Sequence, residues 1–273
     1  MRACLALSLV SLVICSVAGA EYLVEGTAAR LQLLMETGPP MEVVRFILEQ
    51  PEQDRISLFH LAREVFTFGN WEGKELDDLI VIVDAGIEEA MRQARKAPRE
   101  PEVVMALVDE ANVMSFNLSA DLAECWPGDT LVRYERHFER GLSAALQCVE
   151  WRIEMDKDEY SLFMAYWAAG MHQLSLERYE QALYTLNQSL NHAQQHTIDS
   201  GLPLGVAPQA GFDLLLAHGY LGIALIMCGE TSEQYDRAIE AFRDGTEETP
   251  EWAEDYRFGM AQLEKARAVI SGE

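Results

Sequence analysis

The sequence predicts an all-α protein, an array of antiparallel helix hairpins packed side by side. Two observations lead to this fold class. Apolar residues recur at steps of three and four over long stretches of the chain, which is the period of an amphipathic helix. No stretch sustains the apolar and polar alternation of a strand, and no rhythm of strand followed by helix appears.

The first twenty residues have the organisation of a secretory signal peptide. Arg2 precedes an apolar run over residues 4–14, and small residues follow at 18–20. Cleavage after residue 20 would leave Glu21 as the first residue of a periplasmic or secreted protein. The run is too short for a permanent anchor, and no later stretch is apolar and long enough to span a bilayer. The mature chain is therefore expected to have no integral membrane span.

Residues 21–98 are expected to form an N-terminal helical region. Prolines and glycines interrupt the apolar periodicity there, because proline lacks the amide that the interior of a helix needs. Pro98 and Pro101 separate this region from the rest of the chain. The predicted helices cover residues 27–37, 41–50, 53–67 and 73–96.

Residues 99–273 are expected to form a helical repeat region with a closing C-terminal helix. Loop 199–208 breaks the helical rhythm with two prolines and two glycines. Such a loop either lies across the array or contributes to a binding rim. The predicted elements are helices over 102–125 and 130–155, hairpins over 161–194 and 210–246, and a closing helix over 251–270.

The hairpin over 161–194 shows the repeat most clearly. Each half carries one apolar stripe, and Gly170 and Ala182 are predicted to face each other where the two helices cross. A single hairpin cannot bury both stripes alone, so neighbours must stack on it. The spacing of Gly170, Tyr179, Ala182 and Leu183 resembles the signature of the tetratricopeptide (TPR) family.

Two further stretches extend this resemblance. One copy has about four residues inserted after Cys228, and a weaker copy has glycine where the family has alanine. The resemblance implies a TPR-like α-solenoid, and it indicates a fold more strongly than a function. The residues of the two copies are Leu221, Gly222, Tyr235, Ala238, Ile239, Phe242 and Pro250 in the first, and Phe138, Gly141, Leu142 and Ala145 in the second.

The resemblance also implies a groove lined by the first helix of each repeat. No Lys, Arg or Asn stands at the matching positions, so an apolar peptide or an acyl-like ligand would suit this groove better than a carboxylate. The alternative is that these residues form the core, buried by neighbouring helices. The partner-binding positions implied by the resemblance are Met164, Trp167, Met171, Leu174, Leu216, Ile223 and Ile226.

Composition excludes some classes of partner. The chain has 45 acidic and 21 basic residues and a formal net charge of −24. Such a surface repels phosphate backbones and anionic lipids, which argues against a nucleic-acid partner. An acidic coat of this kind keeps a helical array soluble, and it also suits a basic protein partner.

No motif for catalysis or for a cofactor is found. The chain contains no GxSxG sequence and no glycine-rich phosphate loop, so neither an enzyme nor a cofactor is predicted. His192 and His196 have a spacing that can hold Zn²⁺ when further ligands converge, and His60 and Glu64 share it. Because nothing else in the sequence supports a metal site, both pairs are interpreted as polar helix positions.

The cysteines of the mature chain follow no recognisable pattern. Cys125, Cys148 and Cys228 are odd in number and far apart, which fits neither a disulfide framework nor a metal motif. Each is expected to pack as a small apolar side chain. One pair could still form a disulfide, and the sequence does not select it.

Two functions are compatible with these observations. The first is an exported TPR-like scaffold or adaptor that binds a protein or peptide through a partly apolar groove. The alternative is a soluble periplasmic binding subunit for a small apolar ligand, with loop 199–208 as a lid. A polypeptide that copurifies with the protein would favour the first function, and a bound small molecule would favour the second.

Overall fold

A computed structural model describes residues 25–272 of the chain. These residues form eleven α-helices and one 3-10 turn and contain no β-strand, which confirms the all-α prediction. None of these helices combines the length and the hydropathy needed to cross a membrane. The predicted signal peptide at residues 1–20 lies outside the described residues. The described chain divides into two compact units, residues 25–122 and residues 123–272.

The first unit consists of five helices, and proline marks the start of three of them. Pro40 and Pro101 are the first helical residues of α2 and α5, and Pro51 directly precedes α3. Proline suits these places because the first amides of a helix have no partner within it. The helices are α1 (Glu25–Thr37), α2 (Pro40–Leu48), α3 (Glu52–Phe68), α4 (Leu76–Lys96) and α5 (Pro101–Leu122).

Helix α5 belongs to this first unit. It packs along α4, and Arg63 of α3 makes a two-point salt bridge to Asp121 of α5 with distances of 2.7 and 2.8 Å. The sequence places the boundary between the two regions at residue 98, whereas the compact units divide after Leu122. The two prolines at 98 and 101 therefore separate two helices of one unit.

The second unit contains six helices that pack in succession. Each helix contacts the next one along the chain, and in addition α7 contacts α9 and α9 contacts α11. We call the side on which these three alternate helices meet the inner face. The helices are α6 (Glu135–Glu154), α7 (Glu159–Ser175), α8 (Tyr179–Asp199), α9 (Phe212–Met227), α10 (Glu233–Glu248) and α11 (Ala253–Ser271), with a 3-10 turn at Pro250–Trp252.

Helices α6 to α9 all end in the same backbone motif. A residue in the left-handed conformation follows each helix, at Asp156, Glu177, Gly201 and Gly229, with φ of 51°, 57°, 68° and 85°. After α7, for example, the amide of Arg178 donates to a carbonyl five residues earlier at 2.8 Å. These bonds satisfy the last carbonyls of the helix and turn the chain back. After α6, α7 and α9, this turn leads into a short connection to the next helix.

Two glycines allow close crossings between neighbouring helices. A Cβ at Gly141 of α6 would lie 2.2 Å from the imidazole of His172 on α7, so an alanine does not fit there. A Cβ at Gly170 of α7 would lie 2.5 Å from Leu186 of α8. The residue nearest to Gly170 is thus Leu186, one helical turn beyond the predicted Ala182.

The insertion predicted after Cys228 lengthens a turn and moves a helix start. Residues 176–178 connect α7 to α8, whereas residues 228–232 connect α9 to α10. The rest of the insertion extends the start of α10. This helix begins five residues before its buried Ala238, whereas α8 begins three residues before Ala182. The longer turn places new polar side chains beside α9.

Residues 123–134 form a non-helical segment, whereas the sequence predicts only a turn at 126–129, with helices up to residue 125 and from residue 130. Helix α5 ends at Leu122, and α6 begins only at Glu135. Pro127 and Gly128, the latter with φ of 80°, interrupt the helix, and a carboxylate oxygen of Asp129 accepts the amide of Leu131 at 2.9 Å. We call residues 123–134 the inner segment.

Candidate functional site

The inner face corresponds to the groove that the family resemblance predicts. Helices α7 and α9 carry all seven predicted groove residues, and α11 completes the face. The accessibility of this face decides whether a ligand can reach those residues. The inner segment lies against it.

An aromatic cluster joins the inner segment to the inner face. The ring of Trp126 meets that of Trp167 on α7 edge to face, with centroids 5.8 Å apart. It also stacks on Phe258 of α11 at 6.3 Å, and Trp167 in turn contacts Tyr220 of α9 at 5.8 Å. Such offset and edge contacts are the favourable arrangements for aromatic rings. One tryptophan of the segment therefore reaches two of the three inner helices.

Polar contacts also hold the same segment on α11. Cys125 is completely buried, and the amide nitrogen of Gln262 on α11 donates to its sulfur at 3.6 Å. Burial raises the pKa of the Cys125 thiol to about 11, so the thiol is neutral at ordinary pH. The ammonium of Lys265 donates to the backbone carbonyl of Asp129 at 2.7 Å. The inner segment is therefore bound along much of its length.

The far end of the inner segment is held by its own side chains. Arg133 Nη2 lies 2.5 Å from a carboxylate oxygen of Asp129, and the Arg133 side chain is only 1% exposed. The same guanidinium donates to the carbonyl of Leu131 at 3.0 Å. These bonds close a compact turn just before α6.

The structure buries six of the seven predicted groove residues. Their exposed fractions lie between 1% and 6%, whereas Ile226 is half-buried. Trp167, the largest of them, is 2% exposed and is covered in part by Trp126. This arrangement matches the alternative that the sequence left open, in which these side chains form the core. The buried residues are Met164, Trp167, Met171, Leu174, Leu216 and Ile223.

A different set of apolar side chains is exposed where α8 ends. Ile198, Leu202 and Leu204 are 50%, 45% and 57% exposed, and we call them the apolar rim. The left-handed turn at Gly201 fixes the backbone from Ile198 to Leu202, since the amides of Leu202 and Gly201 donate to the carbonyls of Thr197 and Ile198 at 3.0 and 2.9 Å. The sequence left open whether loop 199–208 lies across the array or contributes to a binding rim. In the structure Leu202 and Leu204 are exposed, which favours the rim.

The sequence contained a signal for part of this rim. Prolines and glycines keep this loop from being helical, yet it carries apolar side chains. Such side chains need either a covering element or a partner. Leu202 and Leu204 carry this signal. Ile198 could not be found in this way, because it continues the apolar pattern of α8 and only the end of the helix exposes it.

The two histidines of α8 contact carboxylates of different helices. His192 Nδ1 lies 2.6 Å from Glu159 of α7, and His196 Nε2 lies 3.6 Å from Asp213 of α9. The ring of Tyr166 stacks on His192 at 5.3 Å. Burial raises the pKa of Asp213 to about 7. These pairs connect three helices.

Other candidate ligands are also used in contacts within the fold. His60 Nε2 lies 2.8 Å from a carboxylate oxygen of Glu110 on α5. Within residues 25–272, no group of three or more His, Cys, Asp or Glu side chains is placed to hold a metal ion. The three cysteines of this part of the chain are free thiols, buried at 125 and 148 and exposed at 228.

Comparison with known proteins adds no assignment to this geometry. No protein-family model matches the chain, and no curated protein matches it either. The resemblance to the TPR family therefore stays a prediction that depends on the residues quoted for it.

Proposed function

We propose that this chain is an exported, TPR-like helical scaffold that binds a protein partner through the apolar rim at the end of α8. The observation that carries the proposal is the exposure of Ile198, Leu202 and Leu204 to solvent by half or nearly half. Large apolar side chains that are exposed close together in the chain indicate an interaction surface when polar residues surround them.

The charge of the chain narrows the class of partner. With a net charge of −24, the scaffold favours a segment in which Lys or Arg residues flank an apolar face. Asp199 is exposed inside the rim itself. A basic amphipathic helix of the partner would satisfy both features, since its apolar side covers the leucines and its cations meet the acidic surroundings.

The inner face has a structural role in this account. The inner segment already occupies it, so its aromatic side chains stabilise the unit and the partner binds elsewhere. Peptide binding at Trp167 would require the inner segment to leave, which would expose Trp126 and the thiol of Cys125.

The experiment is affinity capture of the full chain from the cells that make it, with native mass spectrometry of the complex. Ile198→Ser and Leu204→Ser together remove the two most exposed side chains of the apolar rim without touching the core. Tyr184→Ser is the matched control, because Tyr184 is 69% exposed and lies elsewhere on α8. We expect a partner to bind the wild type and the control and to be lost from the rim variant by about tenfold or more.

A partner that binds the rim variant as tightly as the wild type would overturn the proposal. So would a bare chain in every sample. Circular-dichroism melts of the three proteins must agree, since an unfolded rim variant would lose partners for an unrelated reason.

A further inference from the structure

The two departures from the hairpin pattern meet at one cleft. Loop 199–208 contributes Val206, and the lengthened turn 228–232 contributes Glu230 and Thr231. Between them, α9 and the first turn of α10 form the remaining walls, and the cleft has a volume of about 370 Å³. This is within the usual size range of small-molecule sites. The irregular parts of the second unit thus surround one candidate binding site.

One wall of the cleft offers hydrogen-bond donors for an anion. Arg237 of α10 lines it, and within residues 25–272 this guanidinium makes no salt bridge. Beside it, the amide nitrogen of Gln234 donates to Nδ1 of His218 at 3.1 Å. With Nδ1 as the acceptor of this bond, the proton of the neutral imidazole is on Nε2. Burial and Arg237 lower the pKa of His218, so the ring is uncharged at neutral pH.

The same cleft also contains negatively charged side chains. Glu230, which follows the left-handed Gly229, and Glu233, the first residue of α10, both line it. Two carboxylates and one guanidinium leave the lining with a net charge of −1. Val206 and Leu225 supply apolar surface between the charged groups.

We propose that this cleft binds a free α-amino acid with a cationic side chain. The α-carboxylate pairs with Arg237, and the two ammonium groups pair with Glu230 and Glu233. The methylene chain packs against Val206 and Leu225. A ligand with net charge +1 balances the lining, which an uncharged or purely apolar ligand does not. The site differs in chemistry from the small apolar ligand that the sequence suggested.

The experiment is isothermal titration calorimetry of the full chain with L-lysine and three analogues that each lack one group. The analogue 6-aminohexanoate lacks the α-amino group, 1,5-diaminopentane lacks the carboxylate, and L-leucine lacks the charged side chain. We expect L-lysine to bind and each analogue to bind about tenfold or more weakly, since one charged hydrogen bond is lost in each case.

Variants of the chain test the assigned groups. Arg237→Gln and Glu233→Gln should each weaken L-lysine binding by about tenfold or more. Arg243→Gln is the matched control, because Arg243 is also exposed on α10 and does not line the cleft. No binding of L-lysine at millimolar concentration would overturn the proposal. Equal binding of all four compounds, or wild-type affinity in Arg237→Gln, would overturn it as well.

Discussion

Glu177 occupies a backbone conformation that suits glycine better than glutamate. Its φ is 57°, in the left-handed region, and it is exposed in the turn between α7 and α8. Two of the four matching helix ends have glycine at this place. A side chain in this conformation costs about 1 kcal/mol, because its Cβ approaches the following carbonyl oxygen. The fold therefore tolerates some local strain to end α7 here.

We predict that Glu177→Gly raises the free energy of unfolding by about 0.5–1 kcal/mol. Urea unfolding followed by circular dichroism measures this change. Gln181→Gly, at an exposed position inside α8, is the control and should lower stability by a similar amount. If both variants lose stability equally, residue 177 is not left-handed in solution.

Asp213 gives the stability of the fold a pH dependence of known sign. Burial raises its pKa from the ordinary 3.8 to about 7. The folded state then holds a proton that the unfolded chain has already lost, so the contribution of this group to stability falls as the pH rises from about 4 through about 7. Nε2 of His196 lies 3.6 Å from a carboxylate oxygen of Asp213.

We predict that Asp213→Asn stabilises the protein increasingly between pH 5 and pH 7, by about 1–3 kcal/mol at neutral pH. The reason is that Asn cannot ionise, whereas the carboxylate of wild-type Asp213, whose side chain is only 19% exposed, must hold a charge in a largely desolvated place. Thermal melts of the wild type and the variant across this range provide the measurement. Asp244→Asn, at an exposed site on α10, should show no such trend. A constant difference between wild type and Asp213→Asn would contradict the raised pKa.

The inner segment is the element whose position the sequence could not predict. Helices, their order and most of their ends follow from local periodicity and from proline and glycine, and these were predicted within a few residues. By contrast, Cys125 contacts Gln262, which lies 137 positions later. No local pattern marks such a contact. The Pro127-Gly128 break predicted that the chain leaves the helix there, but not which surface it covers.

The sequence could not distinguish the candidate groove from a buried core either. An apolar stripe on a first helix predicts a ligand-binding groove and a buried core equally well, since both need the same side chains at the same spacing. Only the location of the inner segment distinguishes them. Met171 and Trp167 thus satisfy the family pattern while lying in the interior.

We predict that Trp126 and Trp167 are energetically coupled. Trp167→Ala should cost about 3–5 kcal/mol of stability, because a large buried ring is lost, and Trp126→Ala should cost less since its ring is half-buried. The double variant should lose less stability than the sum of the two single losses, by about 0.5–1.5 kcal/mol. Chemical unfolding of the four proteins provides this cycle. Strict additivity would mean that the rings do not touch in solution.

At the scale of the whole molecule, the residues that form the cores differ from those that form the candidate binding surfaces. Each of the two units has its own core, and the second one has alternate helices that share an inner face closed by residues 123–134. The apolar rim and the cleft between α9 and α10 are among the accessible parts of the second unit. Both surfaces include residues of loop 199–208. Binding is therefore expected at the irregular loops, while the helices provide the support.

Cysteine labelling tests directly whether the inner face is closed. The full chain is treated with iodoacetamide under native conditions, and each thiol is followed by peptide mass spectrometry. Cys228 is exposed, whereas Cys125 and Cys148 are buried. We expect Cys228 to react faster than both buried thiols, although desolvation and the carboxylates of Glu180 and Glu230 raise its pKa. We expect Cys125 to be as protected as Cys148, because a buried neutral thiol reacts only when its surroundings open. Labelling of Cys125 at a rate close to that of Cys228 would show instead that the inner segment leaves the inner face and that the groove is open to a partner.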